Sequence, residues 1–282
     1  FLIWENSNAA ENWRMVDSMR GIVTDGDDPK LYPSTSDSEG SSQTLDLTPT
    51  GFKVMESDGA VNGDGNTIIY MAIRRPDPLV QKPAEVGTDV FNMVMGTSNS
   101  DVPAYVSGFP VDFAFNRVPV NTENWWAQWR LTGTKYLVGN STAAEASSSP
   151  NKWDYNNGWY AATNNQSAYQ SWMWKRHAGF DVIGYQGNGV QGRQINHSMN
   201  KTPEMIWIKD RDNTRDWFVS HKGLNGGTTP WNYGLYLNST QAEGTVSQGL
   251  NNTAPTNLAF TLGTDSTTNS NNQNYIAMLF AS

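Results

Sequence analysis

Asp181-Val-Ile-Gly-Tyr185 begins the stretch that decides the fold, which ends at Phe280. Short runs rich in aromatic and β-branched residues follow it, separated by clusters of Gly, Asn, Thr, Ser or Pro. This pattern is typical of strands joined by turns. With no helical periodicity between the runs, it predicts a β-sandwich or barrel unit. The runs are Pro203–Lys209 (PEMIWIK), Asp216–His221 (DWFVSH), Tyr233–Leu237 (YGLYL), Ala259–Leu262 (AFTL) and Tyr275–Phe280 (YIAMLF).

The same pattern occurs twice more upstream. A tryptophan precedes a nine-residue segment that begins with Leu, contains Ser-Thr and ends with Glu each time, and Leu31 follows Trp13 by 18 residues, as Leu235 follows Trp217. Self-similarity that keeps its order and spacing predicts tandem copies of one unit. The recurring segments are Leu31–Glu39 (LYPSTSDSE), Leu137–Glu145 (LVGNSTAAE) and Leu235–Glu243 (LYLNSTQAE), and the closing runs begin at Tyr70, Tyr169 and Tyr275.

Three units are therefore expected, unit one at 1–75, unit two at 84–177 and unit three at 178–282. The proline-rich segment Arg75–Pro83 (RPDPLVQKP) predicts an extended connector between the first two. Phe1-Leu-Ile-Trp4 aligns with Met205-Ile-Trp207, so unit one is expected to lack its opening strand. Either the chain is a fragment of something longer, or the missing strand comes from another subunit, which would couple assembly to folding.

Composition limits the function classes. Hydrophobic residues make up 37% of the 282 residues and tryptophan occurs 12 times, which is enough for packed cores. The net charge of −8 would repel a nucleic acid, so no nucleic-acid partner is expected. No apolar stretch approaches the span of a bilayer, so no membrane partner is expected either. Cysteine is absent, so neither disulfides nor thiolate-bound zinc can support the fold.

Unit three resembles a repeat found in virion proteins of marine tailed phages, notably cyanophages. Three segments carry the resemblance, and the closing run Tyr275–Phe280 and the junction Trp172–Asp181 (WMWKRHAGFD) are also similar. The resemblance implies a concanavalin-like or jelly-roll β-sandwich with a structural or adhesive role on a virion. It brings no catalytic residues with it. The three segments are Asp181–Gly189 (DVIGYQGNG), Pro203–Lys209 (PEMIWIK) and Asp216–Gly223 (DWFVSHKG).

The recurring acids Glu39, Glu145 and Glu243 raise the possibility of a polysaccharide-degrading enzyme. Glycosidases need two carboxyl groups about 5–10 Å apart across the scissile bond. Here one Glu recurs once per unit at the same turn. A turn acid that caps backbone amides explains this pattern better, so no catalytic residue is assigned.

A calcium site is a further candidate, at Asn62, Asp64 and Asn66 of the loop Asn62-Gly-Asp-Gly-Asn66. Calcium takes oxygen ligands of this kind, yet the loop is too short for an EF-hand and lacks the final Glu. Such Asn, Asp and Gly strings also suit tight turns. The turn is favoured, and no cofactor other than possible calcium is expected.

Aromatic residues in polar loops form a candidate glycan-binding set: Trp153, Trp159, Trp231 and Tyr233. Aromatic faces beside amide and carboxyl groups suit the stacking and hydrogen bonding of sugar rings. Packing within the loops, or contact with a neighbouring subunit, is the favoured explanation. Trp207 and Trp217, on alternating strand positions, are expected in the core.

The sequence therefore predicts a non-enzymatic virion structural protein of tandem β-sandwiches, in a tail fibre or similar appendage on the virion surface. Its expected partners are copies of itself, other virion proteins and host surface glycans. A carbohydrate-binding module is the alternative hypothesis, and a polysaccharide-degrading enzyme is the third.

Overall fold

The computed structural model describes residues 1–22, 26–48, 51–73, 87–97, 102–147, 151–161 and 166–282. The connector predicted at Arg75–Pro83, and with it the boundary between units one and two, lies outside the described residues. Within them the strands, in chain order, are β1 (Leu2–Asn6), β2 (Arg14–Val16), β3 (Asp28–Lys30), β4 (Gly40–Ser42), β5 (Leu45–Thr48), β6 (Gly51–Val54), β7 (Ile68–Ala72), β8 (Phe91–Met95), β9 (Tyr105–Val106), β10 (Phe113–Arg117), β11 (Trp126–Trp129), β12 (Lys135–Val138), β13 (Ala146–Ser147), β14 (Gly158–Trp159), β15 (Gln170–Trp174), β16 (Phe180–Gln186), β17 (Arg193–Asn196), β18 (Met205–Asp210), β19 (Phe218–His221), β20 (Tyr233–Tyr236), β21 (Gly244–Thr245), β22 (Ala259–Leu262) and β23 (Asn274–Phe280).

The helices are short. Two single-turn α-helices, α1 (Gly59–Asn62) and α2 (Ser266–Asn269), each begin after an Asp whose side chain accepts the amide hydrogen two residues on. The remaining helical segments are 3₁₀ turns at Gly87–Asp89, Arg130–Thr132, Gln166–Ala168, Leu224–Gly227 and Pro230–Asn232. The predicted all-β sandwich class is confirmed, while the concanavalin-like label stays a prediction.

Each unit contributes one antiparallel sheet, and the three sheets share a strand order. The third sheet runs β16-β23-β18-β19-β20-β21 and the second runs β8-β15-β10-β11-β12-β13. The first sheet, β7-β1-β2, repeats the middle of that order. Its β2 bridges to Leu31 through Met15, as Val219 of β19 pairs with Leu235 of β20. The first sheet thus lacks, among the described residues, the opening strand that β8 and β16 provide in the other two.

Side chains alternate across each sheet between two cores. On β18, Met205 and Trp207 face a central core, whereas Ile206 and Ile208 face outward into a second cluster. This period of two is what a strand with both faces buried requires. The same alternation holds on the strands equivalent to β18, which are β1 and β10.

The outward clusters make each unit a small sandwich. The strands β17 and β22 cover the outer face of the third sheet, with Phe260 and Leu262 packed in the same cluster as Ile208. The pair β9 and β14 covers the second sheet, and β5 and β6 cover the first. Each main sheet is therefore one layer of a two-layer unit, and its other face remains available for packing.

The inner faces of all three sheets meet in one continuous core. Ile3 and Trp13 of unit one, Phe113 of unit two and Trp207 of unit three belong to the same buried cluster. Phe113 stacks on Trp129 and lies 6.1 Å from the ring of Phe180 across the boundary between units two and three. Each fully buried aromatic side chain contributes roughly 1.5–3 kcal/mol, so a large part of the stabilising apolar burial is common to the three units. In a chain without cysteine, this shared core provides the support that disulfides give other small domains.

Candidate functional site

Three tryptophans that recur in the sequence join neighbouring sheets. Each indole is buried and belongs to the residue just before β19 or its equivalent strand, and its Nε1–H donates to a backbone carbonyl of another unit. The acceptors occupy equivalent positions, one residue after the recurring leucines. The hydrogen bonds are Trp13 to Tyr236 (3.2 Å), Trp125 to Tyr32 (3.1 Å) and Trp217 to Val138 (2.9 Å). Unit one thus contacts unit three, unit three contacts unit two, and unit two contacts unit one, which closes a ring.

The recurring glutamates close a second ring. Their backbone amides donate to carbonyls at equivalent positions just after the strands equivalent to β18. The hydrogen bonds are Glu39 to Pro119 (2.9 Å), Glu145 to Arg211 (2.7 Å) and Glu243 to Ser7 (2.7 Å). The turn that ends each recurring Leu-to-Glu segment therefore docks against the next unit. This accounts for the recurrence of the segment three times.

The carboxylates of these glutamates bind groups of the protein itself. Glu145 accepts two hydrogen bonds from Arg211, at 2.8 and 2.9 Å, in a bidentate pair between units two and three. Glu39 accepts from Arg20 at 3.0 Å. Glu243 accepts from the amide of Asn225 at 2.6 Å. Each acid lies at a different junction, so the geometry matches three structural acids rather than the facing pair that glycoside cleavage requires.

Equivalent buried positions on β1, β10 and β18 carry Glu5, Arg117 and Lys209. Arg117 donates to the carbonyl of Asp37 at 2.7 Å, and Lys209 donates to the carbonyl of Thr142 at 3.2 Å, each in a neighbouring unit. Burial lowers the pKa of Lys209 to about 8 and that of Arg117 to about 10.

Glu5 differs from these two cations because its carboxyl oxygens have no hydrogen-bond partner among the described residues. Burial, reinforced by Glu11, raises its pKa to about 9. At neutral pH the first unit therefore carries a protonated acid where the other two units carry donors to a neighbouring loop. The recurrence in sequence gave no signal for this position, because unit one carries an acid where the other two units carry a cation.

The aromatic residues predicted to bind glycans are mostly internal. Trp153 and Trp159 stack on each other at 4.7 Å and are 5% and 0% exposed. Trp231, 9% exposed, packs in the outer cluster of unit three, and the half-buried Tyr233 packs against the central core. The structure brings Trp153 and Trp159 together, but it does not place them with Trp231 and Tyr233. Trp159 also stacks on Tyr105, and at 5% exposure or less neither indole presents an open face to a sugar ring.

The residues predicted to bind calcium lie at the end of α1, which closes with Asn62, and in the turn that follows it. The amide nitrogen of Asn66 donates to the carbonyl of Gly63 at 3.1 Å, and its side-chain Nδ2 donates to the carbonyl of Gly59 at 3.1 Å. Asn62 and Asp64 are exposed. In the part of the chain that the structure describes, no three His, Cys, Asp or Glu side chains come together as metal ligands. The hydrogen bonds explain the loop as a turn, and calcium binding stays a prediction.

Two grooves lie along β7. One, of about 720 Å³, is lined by residues of the first sheet and its cover, among them Leu47, Phe52 and Tyr70, and by residues 87, 88 and 91–93 of unit two. The other, of about 650 Å³, reaches central-core residues such as Phe91 and Met205. Together they follow the edge of the first sheet where the other sheets carry their opening strands. The prediction of a missing opening strand pointed to this edge.

Among the described residues, no helix has the length and apolarity needed to span a membrane. No curated protein and no solved structure matches the chain. A family model described as a domain of unknown function, DUF7483, matches residues 1–76 and 87–282. That match includes nearly all of the three sheets and their shared core. The chain therefore belongs to the DUF7483 family.

Proposed function

We propose that this chain is a non-enzymatic structural module of a phage virion, located in a tail fibre or similar surface appendage. The virion assignment rests on the resemblance of unit three to repeats of marine phage virion proteins. The partners it implies are copies of this chain, other virion proteins and, through the polar loops, host surface glycans. The site supports the structural part of this proposal.

One observation carries it: the tryptophans and glutamates that recur in all three units form contacts between units. The three indole donors and the three recurring acids each engage a neighbouring unit or a loop beside it. Glu145, which a glycosidase would use as a catalytic acid, is paired with Nε and Nη2 of Arg211. Repetition thus serves to join sheets, as expected of a module selected for rigidity.

The glycan-binding alternative has weaker support. Trp153 and Trp159 use their faces for each other, and Trp153 also donates its Nε1–H to the carbonyl of Gly133 at 2.9 Å. Surface loops could still contact host glycans through hydrogen bonds alone, and such contact would be adhesive without stacked aromatic rings.

A census of purified particles tests the proposal. Phage particles banded in a density gradient would be analysed by quantitative mass spectrometry, with the major capsid protein as the internal reference. We expect this chain at a fixed small copy number per particle, and immunogold labelling at a tail or surface appendage. Its absence from banded particles, when the same infected lysate contains it, would contradict the proposal. Release of reducing sugar from host polysaccharide by the purified chain would contradict the non-enzymatic part.

A further inference from the structure

The first sheet ends at a strand edge that the other two sheets cover. In unit two, β8 pairs with β15 over Phe91–Met95, and in unit three, β16 pairs with β23 over Phe180–Gln186. The equivalent strand β7 pairs with β1 on one side. Among the described residues no strand pairs with its other side.

The backbone groups at this edge can be identified from the register. Ile73 and Phe1 exchange both of their backbone hydrogen bonds, and the amide of Ser7 donates to the carbonyl of Thr67. Because hydrogen-bonded and non-hydrogen-bonded pairs alternate in an antiparallel ladder, the N–H and C=O groups of Ile68, Tyr70 and Ala72 point away from β1. They form a row of donors and acceptors at the open edge. Such a row is a template for another strand.

The grooves on the two faces of β7 match the two faces of such a strand. In unit three, Phe180 and Val182 of the opening strand point into the central core, and Ile183 points into the outer cluster. In unit two, Phe91 and Met93 occupy the inward positions. The volumes of about 650 and 720 Å³ beside β7 lie where the equivalent side chains of unit one would be. Tyr70, at 51% exposure, is among the most exposed large side chains of the first sheet.

We propose that β7 accepts an antiparallel β-strand donated by a partner polypeptide, which completes the first sheet. The register of the other sheets defines the chemistry of that strand. It carries an aromatic residue opposite Ile73, as Phe180 lies opposite Phe280, and an aliphatic residue opposite Met71, as Val182 lies opposite Met278. Backbone pairing supplies the affinity and the alternating side chains supply the specificity, which is the general mode of strand addition. The proposal holds whether or not the chain is part of a virion.

A peptide with the sequence of residues 178–188 (AGFDVIGYQGN) is the direct probe, because it carries the opening strand of unit three. Fluorescence anisotropy would follow binding of the labelled peptide to the full 282-residue chain. We expect saturable binding and a higher melting temperature of the complex. A peptide with aspartate in place of both Phe180 and Val182 should bind at least ten-fold more weakly, since it cannot fill the inner groove.

Two changes test the backbone geometry. Ala72→Pro removes an N–H that faces the open edge and leaves the β1 pairing intact, as proline tolerates on an edge strand. We expect it to weaken peptide binding at least ten-fold with an unchanged circular dichroism spectrum.

Should that variant misfold, N-methylated peptides serve on the unmodified chain. In β16 the direction of the backbone N–H groups alternates along the strand, and the amide of Ala281 in unit three donates to the carbonyl of Gly179. The N–H of Ile183 therefore points toward β23, and that of Val182 points away from it. Methylation at Ile183 should abolish binding, and methylation at Val182 should not.

The proposal is overturned if the peptide does not bind at millimolar concentration, or if both methylated peptides bind equally. A concentration-dependent dimer of the chain that Ala72→Pro dissociates would also overturn it, since that result assigns the edge to a second copy.

Discussion

The indole Nε1–H of Trp217 donates to the backbone carbonyl of Val138 at 2.9 Å, and this hydrogen bond joins the third sheet to the second. The amide of Ser141 donates to the same carbonyl at 3.2 Å. Equivalent bonds from Trp13 and Trp125 join the other pairs of units. The molecule is thus closed by three repetitions of one contact, and removing a single indole donor should weaken the junction it spans.

Trp217→Phe tests this junction. The substitution removes the donor and some volume, while Ser141 still satisfies the carbonyl, so the lost hydrogen bond should lower the free energy of unfolding by about 1 kcal/mol beyond the packing loss. Trp129→Phe is the matched control, because Trp129 lies in the same core and its Nε1 has no acceptor among the described residues. Urea unfolding of both variants gives the comparison. Equal destabilisation of the two would contradict a role for the indole donor.

The Glu145–Arg211 pair should also couple two units energetically. Both side chains are largely buried, and their geometry is bidentate, which favours a measurable interaction. A double-mutant cycle with Glu145→Gln and Arg211→Met should give a coupling energy of about 1 kcal/mol that decreases in 1 M salt. The exposed Lys222–Glu204 pair is the reference, with an expected coupling below about 0.5 kcal/mol. If Glu145→Gln left stability unchanged but removed an activity on polysaccharide, the enzyme reading would replace the structural one.

Sequence reasoning could find the repeat but could not assign the faces of its strands. Phe1-Leu-Ile-Trp4 was expected to align with Met205-Ile-Trp207, which places Trp4 with Trp207. The ladders place Ile3 opposite Met71 as Trp207 lies opposite Met278, so Ile3 is the true counterpart. Since a shift of one residue reverses the faces of a strand, Trp4 points outward whereas Trp207 points into the shared core.

The alignment of the closing strands and the exposure of the candidate site residues were also predicted wrongly from the sequence. Tyr70 was expected to match Tyr275, but it pairs with Trp4 and so takes the position of Ala277, two residues later. The polar surroundings of Trp153 and Trp159 in the sequence suggested exposure, while the two rings bury each other. Local composition cannot report a contact between loops that are joined only by tertiary packing. The shared central core was likewise not predicted, because alternation along a strand does not show which other sheet covers each of its faces.

Trp159→Ala should lower the stability of the fold, and any loss of ligand binding should follow from that loss. Trp159 is fully buried, stacks on Trp153, and donates to Ser171 Oγ at 3.0 Å. Truncation of such a side chain lowers the free energy of unfolding by about 3–5 kcal/mol. Thermal unfolding followed by circular dichroism would show the loss. A variant with wild-type stability that has lost glycan binding would instead support sugar stacking at this pair, so a glycan-array experiment needs the melting curve beside it.

Glu5 should make stability depend on pH. Its pKa rises from 4.5 to about 9 on folding, because burial disfavours the carboxylate. The folded state therefore holds a proton that the unfolded state releases between these two values. The contribution is fully present below pH 4.5 and is lost as the pH rises toward 9, with a slope of up to about 1.4 kcal/mol per pH unit.

Glu5→Gln isolates that contribution, because the amide has the shape of the protonated acid and does not ionise. Urea unfolding from pH 5 to pH 9 should show the wild-type chain losing stability relative to the variant at each step. The difference between the two removes the contributions of every other titrating group, including the three histidines. Parallel curves would mean that water or a cation reaches the carboxylate at Glu5. In that case the first unit would tolerate at this position the charge that Lys209 and Arg117 carry in the other two.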